Sequence, residues 1–174
     1  MLSELVSMLN RYQFRRATLY KDISNLCTEA LDWKVAEKST TIGTLLLHIA
    51  GVEDLAISSM KGIDIDQRWR EPHWSRLVPG FAIELNRERV SGFGVEYYIG
   101  ILQEIESETV RYFQDLNQES LEKESPFYLE GKNLQPGCFE MLQNRSLLMS
   151  ILQHEQYHRG QIMLLKFLFS DQGK

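Results

Sequence analysis

Apolar positions recur at helical spacing in four long stretches of the chain. In the first, Leu2, Leu5, Leu9, Tyr12, Arg16, Leu19, Ile23 and Leu26 step alternately by three and four, the signature of one helix face. A second helix is expected after the cap candidates Ser39, Thr40 and Thr41. It runs through IGTLLLHIAGVEDLAISSM to a stop at Gly62, with Leu45, His48, Val52 and Leu55 as its stripe. The third, VEYYIGILQEIESETVRYFQDL, sets Tyr98, Leu102, Ile105, Thr109, Tyr112 and Leu116 on one face. The fourth spans about 139–169, with Leu147, Ile151, His154, His158, Gln161, Leu165 and Leu168 in line.

Between the second and third helices, residues 61–93 carry Pro72, Pro79 and several glycines and lose the period. They read as a long connection with short helical pieces, long enough for the helices it joins to run parallel. The stretch SPFYLEGKNLQPG before the fourth helix alternates too little to be read as a strand. The pattern therefore predicts an all-α four-helix bundle with long connections between helices 2 and 3 and between helices 3 and 4. No repeat or linker divides the 174 residues, so one domain covering 1–174 is expected.

Several inward positions on these stripes are polar: Arg16, His48, Thr109, His154, His158 and Gln161. A buried polar side chain without a partner costs about 1–3 kcal/mol, so such a cluster needs mutual satisfaction or a ligand. His154 and His158 are four apart, which puts both imidazoles on one face about a turn from each other. Two imidazoles hold a divalent ion poorly, and a catalytic site commonly has three protein ligands and an open position. His48, on the apolar stripe of the second helix, is the best third ligand. His73, in the loop sequence EPHWSR, is a reserve more simply read as loop packing. Gln161 is placed to line the site or hold a water behind it.

Each of these residues has a plainer reading. A lone histidine on an apolar face is more often a hydrogen-bonded core residue than a ligand. Arg16 could meet an anionic substrate, but an ion pair with a neighbouring helix is the commoner fate of such a residue. Thr109 can bond its own helix backbone. The tyrosines of helices 1 and 3 read as core, Arg159 as an ion-pair partner, and Cys27 and Cys138 as structural thiols without activating neighbours.

Composition narrows the function classes. A net charge of −5 and a pI near 5.4, with lysine and arginine scattered, oppose nucleic-acid binding. No uncharged apolar run nears the roughly 18 residues of a membrane span, and the N-terminus lacks the apolar core of a signal peptide. Two distant cysteines fit a reducing compartment, so a cytoplasmic protein without a membrane partner is expected.

HEQYH, 154–158, spells the H-E-x-x-H of zinc peptidases, yet the rest of that machinery is missing. The extended motif needs glycine where Gln161 stands and histidine where Leu164 stands. The other peptidase type takes a later carboxylate ligand, and only Asp171 follows His158. Glu155 turns about 100° from His154 around the helix, toward a flank, although a general-base role stays open.

A histidine midway along helix 2, a long second connection and H-x-x-x-H-R-G-Q in the last helix together resemble the DinB-like family, which includes YfiT-type proteins classed as metal-dependent hydrolases. The matching pieces are LDWKVAEKSTTIGTLLLHIAGVEDL, 31–55, and HEQYHRGQI, 154–162. The resemblance implies a four-helix bundle, often dimeric, with one divalent metal ion held by three histidines, here His48, His154 and His158. Zinc or nickel is the expected metal. Characterised members of the family include thiol transferases that use bacillithiol or mycothiol, a mycothiol-dependent isomerase and glutathione-dependent enzymes. Three neutral imidazoles leave the ion its full charge and an open position, where a water or a thiol becomes more acidic. The expected activity is thiol-dependent S-transfer to an electrophilic small molecule. The alternatives are hydrolysis at the same metal, or a non-catalytic metal- or ligand-binding bundle.

Overall fold

The computed structural model describes residues 2–68, 71, 73, 76–77, 90–127 and 140–171. Its long helices are α1 (Leu2–Ile23), α3 (Ile42–Met60), α5 (Val95–Asp115) and α7 (Asn144–Asp171). The shorter helices are α2 (Thr28–Asp32), α4 (Ile65–Arg68) and α6 (Gln118–Glu122). The all-α class expected from the pattern is the observed one.

Local chemistry sets the ends of α3. Thr41 caps its N-terminus, the side-chain oxygen accepting from the Thr44 backbone N–H. At the other end Gly62 takes φ 76°, its N–H reaches the Ser59 carbonyl, and Ile63 N–H reaches that of Ser58. This pair of hydrogen bonds across a left-handed residue is the Schellman stop, which glycine adopts without the steric cost a Cβ would bring.

Three sequence expectations need correction. The fourth helix begins at Asn144, because Glu140–Gln143 (β2) instead pairs antiparallel with Glu124–Phe127 (β1). β1 overlaps the stretch set aside as irregular; four residues are too few to display a period. α1 ends at Ile23 rather than Leu26, though Leu26 still packs in the core. The expected short helical piece in 61–93 is α4.

The helix directions follow from side-chain pairings. Glu4, Arg15 and Asp22 of α1 meet Arg145, Leu152 and Arg159 of α7 in rising order, so those two helices run parallel. Gly43 lies against Tyr98 and Glu53 against Thr109, so α3 and α5 are parallel too, as the long connection allows.

α3 is the hub. Every one of its residues except Val52 is buried, and over 18 residues it is as apolar as a membrane span. A helix apolar all round is read as one enclosed on all sides: α3 packs against α5 and α7, is covered further by α2, α4 and β1, and reaches α1 through Glu53, which bonds Tyr12 and Arg16. Two apolar clusters form around it. One contains Leu19, Ile23, Leu46, Tyr98 and Ile162; the other contains Met8, Ile57, Met60, Phe113, Leu121 and Leu147.

Close packing at the start of α3 requires glycine. A Cβ on Gly43 would stand 2.7 Å from Cζ of Tyr98, whose ring is fully buried and has no room to swing. Gly43→Ala is therefore expected to lower stability by about 1–3 kcal/mol, the usual cost of overpacking a tight core. Urea unfolding measures it, and a midpoint unchanged from wild type would show that α5 yields freely there.

Candidate metal centre

His48 sits midway along buried α3, and α7 crosses it so that His154 and His158 face it from consecutive turns. His154 Nε2 lies 3.0 Å from His48 Nε2 and 3.0 Å from His158 Nε2. One ligand atom from each of the three residues falls within 4.8 Å of the others. Two nitrogens each about 2.0–2.1 Å from one ion stand roughly 3.0–3.4 Å apart, so the spacing suits a shared cation. His48 and His158 are buried, while His154 is partly exposed and gives the cluster its opening to solvent.

The donor set fits a metal on chemical grounds. Gln161 presents Oε1 to His158 Nδ1 at 2.7 Å and its amide nitrogen to the Tyr157 hydroxyl at 3.2 Å. In that arrangement His158 carries its proton on Nδ1 and turns a lone pair inward on Nε2. His154 Nε2 has two imidazole nitrogens equally near, and a single proton on it can serve only one of them. A divalent cation satisfies all three lone pairs at once. Burial, reinforced by His158 and then His48, pushes the His154 pKa down to about 2, so at neutral pH this ring is an uncharged ligand.

Behind the histidines lies a layer of buried charge that separates the two apolar clusters. Arg16 of α1 is fully buried. Its Nε donates to Glu155 Oε2 at 2.8 Å, its Nη1 to the Leu102 carbonyl at 3.1 Å, and its Nη2 pairs with Glu53. Nη2 also lies 2.7 Å from Glu155 Oε2. Glu53 Oε1 accepts from the Tyr12 hydroxyl at 2.5 Å and from Thr109 Oγ1 at 2.6 Å. Burial lowers the Arg16 pKa, but Glu53, Tyr12 and Glu155 outweigh it and keep the guanidinium charged. Burial raises Glu155; Arg16 opposes the rise and nearby Glu53 adds to it. Glu155 Oε1 is buried with no hydrogen-bond partner.

The expected site residues can now be placed. His48, His154 and His158 come together, with Gln161 directly behind His158. Arg16 forms the ion pairs of the plainer reading, and Arg159 pairs with Asp22 at 2.6 Å. Glu155 does turn away from the histidines, but into the core rather than to an open flank. Thr109 serves Glu53, not its own helix backbone. Of the tyrosines read as core, Tyr12 and Tyr98 are buried, whereas Tyr20, Tyr97 and Tyr112 are half-buried and pack against the edges of the apolar clusters. His73 stands apart from the cluster, 3.5 Å from Asp54 and beside Arg68. Cys27 is an exposed free thiol and so has no packing role, and Cys138 lies outside the described residues.

Glu53 is the residue that the sequence pattern passed over. An acidic side chain inside a 19-residue apolar helix was the available signal. The stripe that should have exposed it instead ran through Val52, the one residue of α3 that is not buried.

The sequence profile of the DinB family matches residues 1–166, nearly the whole chain and a span that includes His48, His154 and His158. The chain belongs to the DinB family. A comparison with curated proteins gives no match. Family membership and the three-histidine cluster together fit a metal-binding DinB-like protein.

Two outcomes are expected of this DinB protein. Elemental analysis of protein purified without chelator should find about one divalent ion per chain, lost in His48→Ala; Gln161→Leu should weaken binding by about 10–100-fold. An unaltered metal affinity in the glutamine variant would remove Gln161 from the site. The second concerns pH in chelator-treated protein. A histidine whose folded pKa lies below its unfolded value takes up protons more readily when unfolded. Its contribution to stability is therefore complete above about pH 6.5 and drains away as pH falls toward 2. His154→Asn should remove up to about 1.4 kcal/mol per pH unit of that slope. Parallel stability curves for variant and wild type over this range would contradict it.

Proposed function

We propose that this DinB protein is a metal-dependent enzyme, most specifically a thiol-dependent S-transferase that joins a low-molecular-weight thiol to an electrophilic small molecule. The observation that carries the reading is the convergence of three imidazole nitrogens from two helices with no fourth histidine, cysteine or carboxylate in the cluster among the described residues. Structural zinc sites are normally closed by four protein ligands, whereas three leave a position for a reactant.

A divalent ion held there supplies Lewis acidity, lowering the pKa of a thiol or water placed against it. His48, His154 and His158 hold the ion as neutral donors and so leave its charge undiminished, and Gln161 fixes the ring of His158. The partly exposed edge at His154 is the side from which a reactant enters. In the proposed transfer the thiol gives up its proton to solvent water, and a sulfur–carbon bond forms as the carbon's bond to its leaving group breaks. The leaving group departs with the electron pair.

The family supports this reading, because thiol transferases occur within it. The same residues would serve hydrolysis with water in place of the thiol, which makes hydrolysis the alternative. The reading includes a cytoplasmic setting, a small-molecule substrate and assembly as a homodimer.

The test offers bacillithiol, mycothiol and glutathione, each with a panel of electrophiles, to zinc- and nickel-loaded protein and follows conjugates by mass spectrometry. Conjugation with at least one thiol is expected, falling by about 100-fold or more in His48→Ala as the metal is lost. Metal-loaded protein that forms no conjugate but cleaves esters or amides would replace transfer with hydrolysis. Metal-loaded protein that does neither would leave a binding bundle.

A further inference from the structure

Among the described residues, Arg16 is the side chain of the buried charge layer that pairs with both helices carrying the clustered histidines. Its partner Glu53 is on α3, five residues after His48, and its partner Glu155 is on α7, between His154 and His158. A third bond, to the Leu102 carbonyl, ties the same guanidinium to α5. We propose that Arg16, through Glu53 and Glu155, is a positioning residue for the metal centre: it sets the separation and rotation of α3 and α7 and thereby the bite of the three histidines. The inference rests on the metal reading of the histidine cluster.

The geometry supports this in three ways. First, the spacing to be controlled is small: 3.0 Å between ring nitrogens on different helices, where a shift of a few tenths of an ångström changes which ions fit. Second, a planar guanidinium with its donors in a fixed fork is suited to such control, since its three contacts cannot rotate independently. Third, the anchors are themselves pinned. Glu53 is held by Tyr12 and Thr109, and α7 is fastened to α1 by Arg15 to the Leu152 carbonyl and by Arg159 to Asp22. A general packing role would need none of this convergence on the two helices that carry the ligands.

The layer also carries charge. Two carboxylates face one guanidinium, and Glu155 Oε1 has no donor of its own.

The experiment titrates cobalt(II) into chelator-stripped full-length protein at constant pH, reading affinity by chelator competition and coordination geometry by visible absorption. Arg16→Met should bind cobalt about tenfold or more weakly with a shifted spectrum, and Arg16→Lys should lie between it and wild type. Glu155→Gln, which weakens the grip of Arg16 on α7, should also weaken binding. Leu121→Ala, a cavity variant in the apolar cluster that contains Leu147, should lose stability while keeping wild-type affinity and spectrum. That control separates positioning from general destabilisation. If Arg16→Met does not fold, Arg16→Lys and Glu155→Gln decide. Variants that fold and match the wild-type affinity and spectrum overturn the positioning role alone. Wild-type protein that takes up no cobalt overturns the metal reading, and this inference with it.

Discussion

The bundle depends on how one fully buried guanidinium is satisfied. Taking a charge out of water costs several kcal/mol, and the cost is recovered only if its donors find partners in good geometry. Arg16 finds two carboxylates and a backbone carbonyl, on three different helices, none of them its own. The helices are thus held to a single mutual arrangement, because sliding any one of them would strand an ion in an apolar interior. Leucine at position 16 would leave the carboxyl groups of Glu53 and Glu155 buried without their cation.

That constraint explains why the polar residues form a layer rather than a scatter. Tyr12, Arg16, Glu53, Thr109 and Glu155 lie at one level of the bundle, between apolar clusters that carry no such demands. The clusters supply the bulk of the burial energy without regard to register. The polar layer fixes the register, and the three histidines lie beside it, where register matters most. The 3.0 Å spacing between His48 and His154, on different helices, is the kind of distance that such a register fixes and non-directional apolar contacts do not.

Much of this was legible in the sequence, for a physical reason. α1, α5 and α7 each keep one face toward solvent, so their apolar stripes show at helical period and a polar residue on a stripe stands out. Arg16, His154 and His158 were visible in that way. α3 has no outer face, so its stripe had no contrast, Glu53 was missed and Val52 was misplaced. His48 emerged because histidine is conspicuous among leucines whatever the period. The angle of Glu155 could be computed from helix geometry, but its partner could not, since nothing local says which helix will cover that flank. The β1–β2 pair escaped because four-residue strands have too few alternations to read, and the same blindness moved the start of α7.

The order of the ligands along the chain has a consequence for biogenesis. His48 and His154 are separated by 106 positions, and α7 is the last helix of the bundle to emerge. Until it docks, α3, the most apolar helix, lacks one of its covering walls, and of the three clustered histidines only His48 is in place. An ion held by all three would bind only once the fold is complete, and would act as a latch that stabilises chains whose final helix has already found its place.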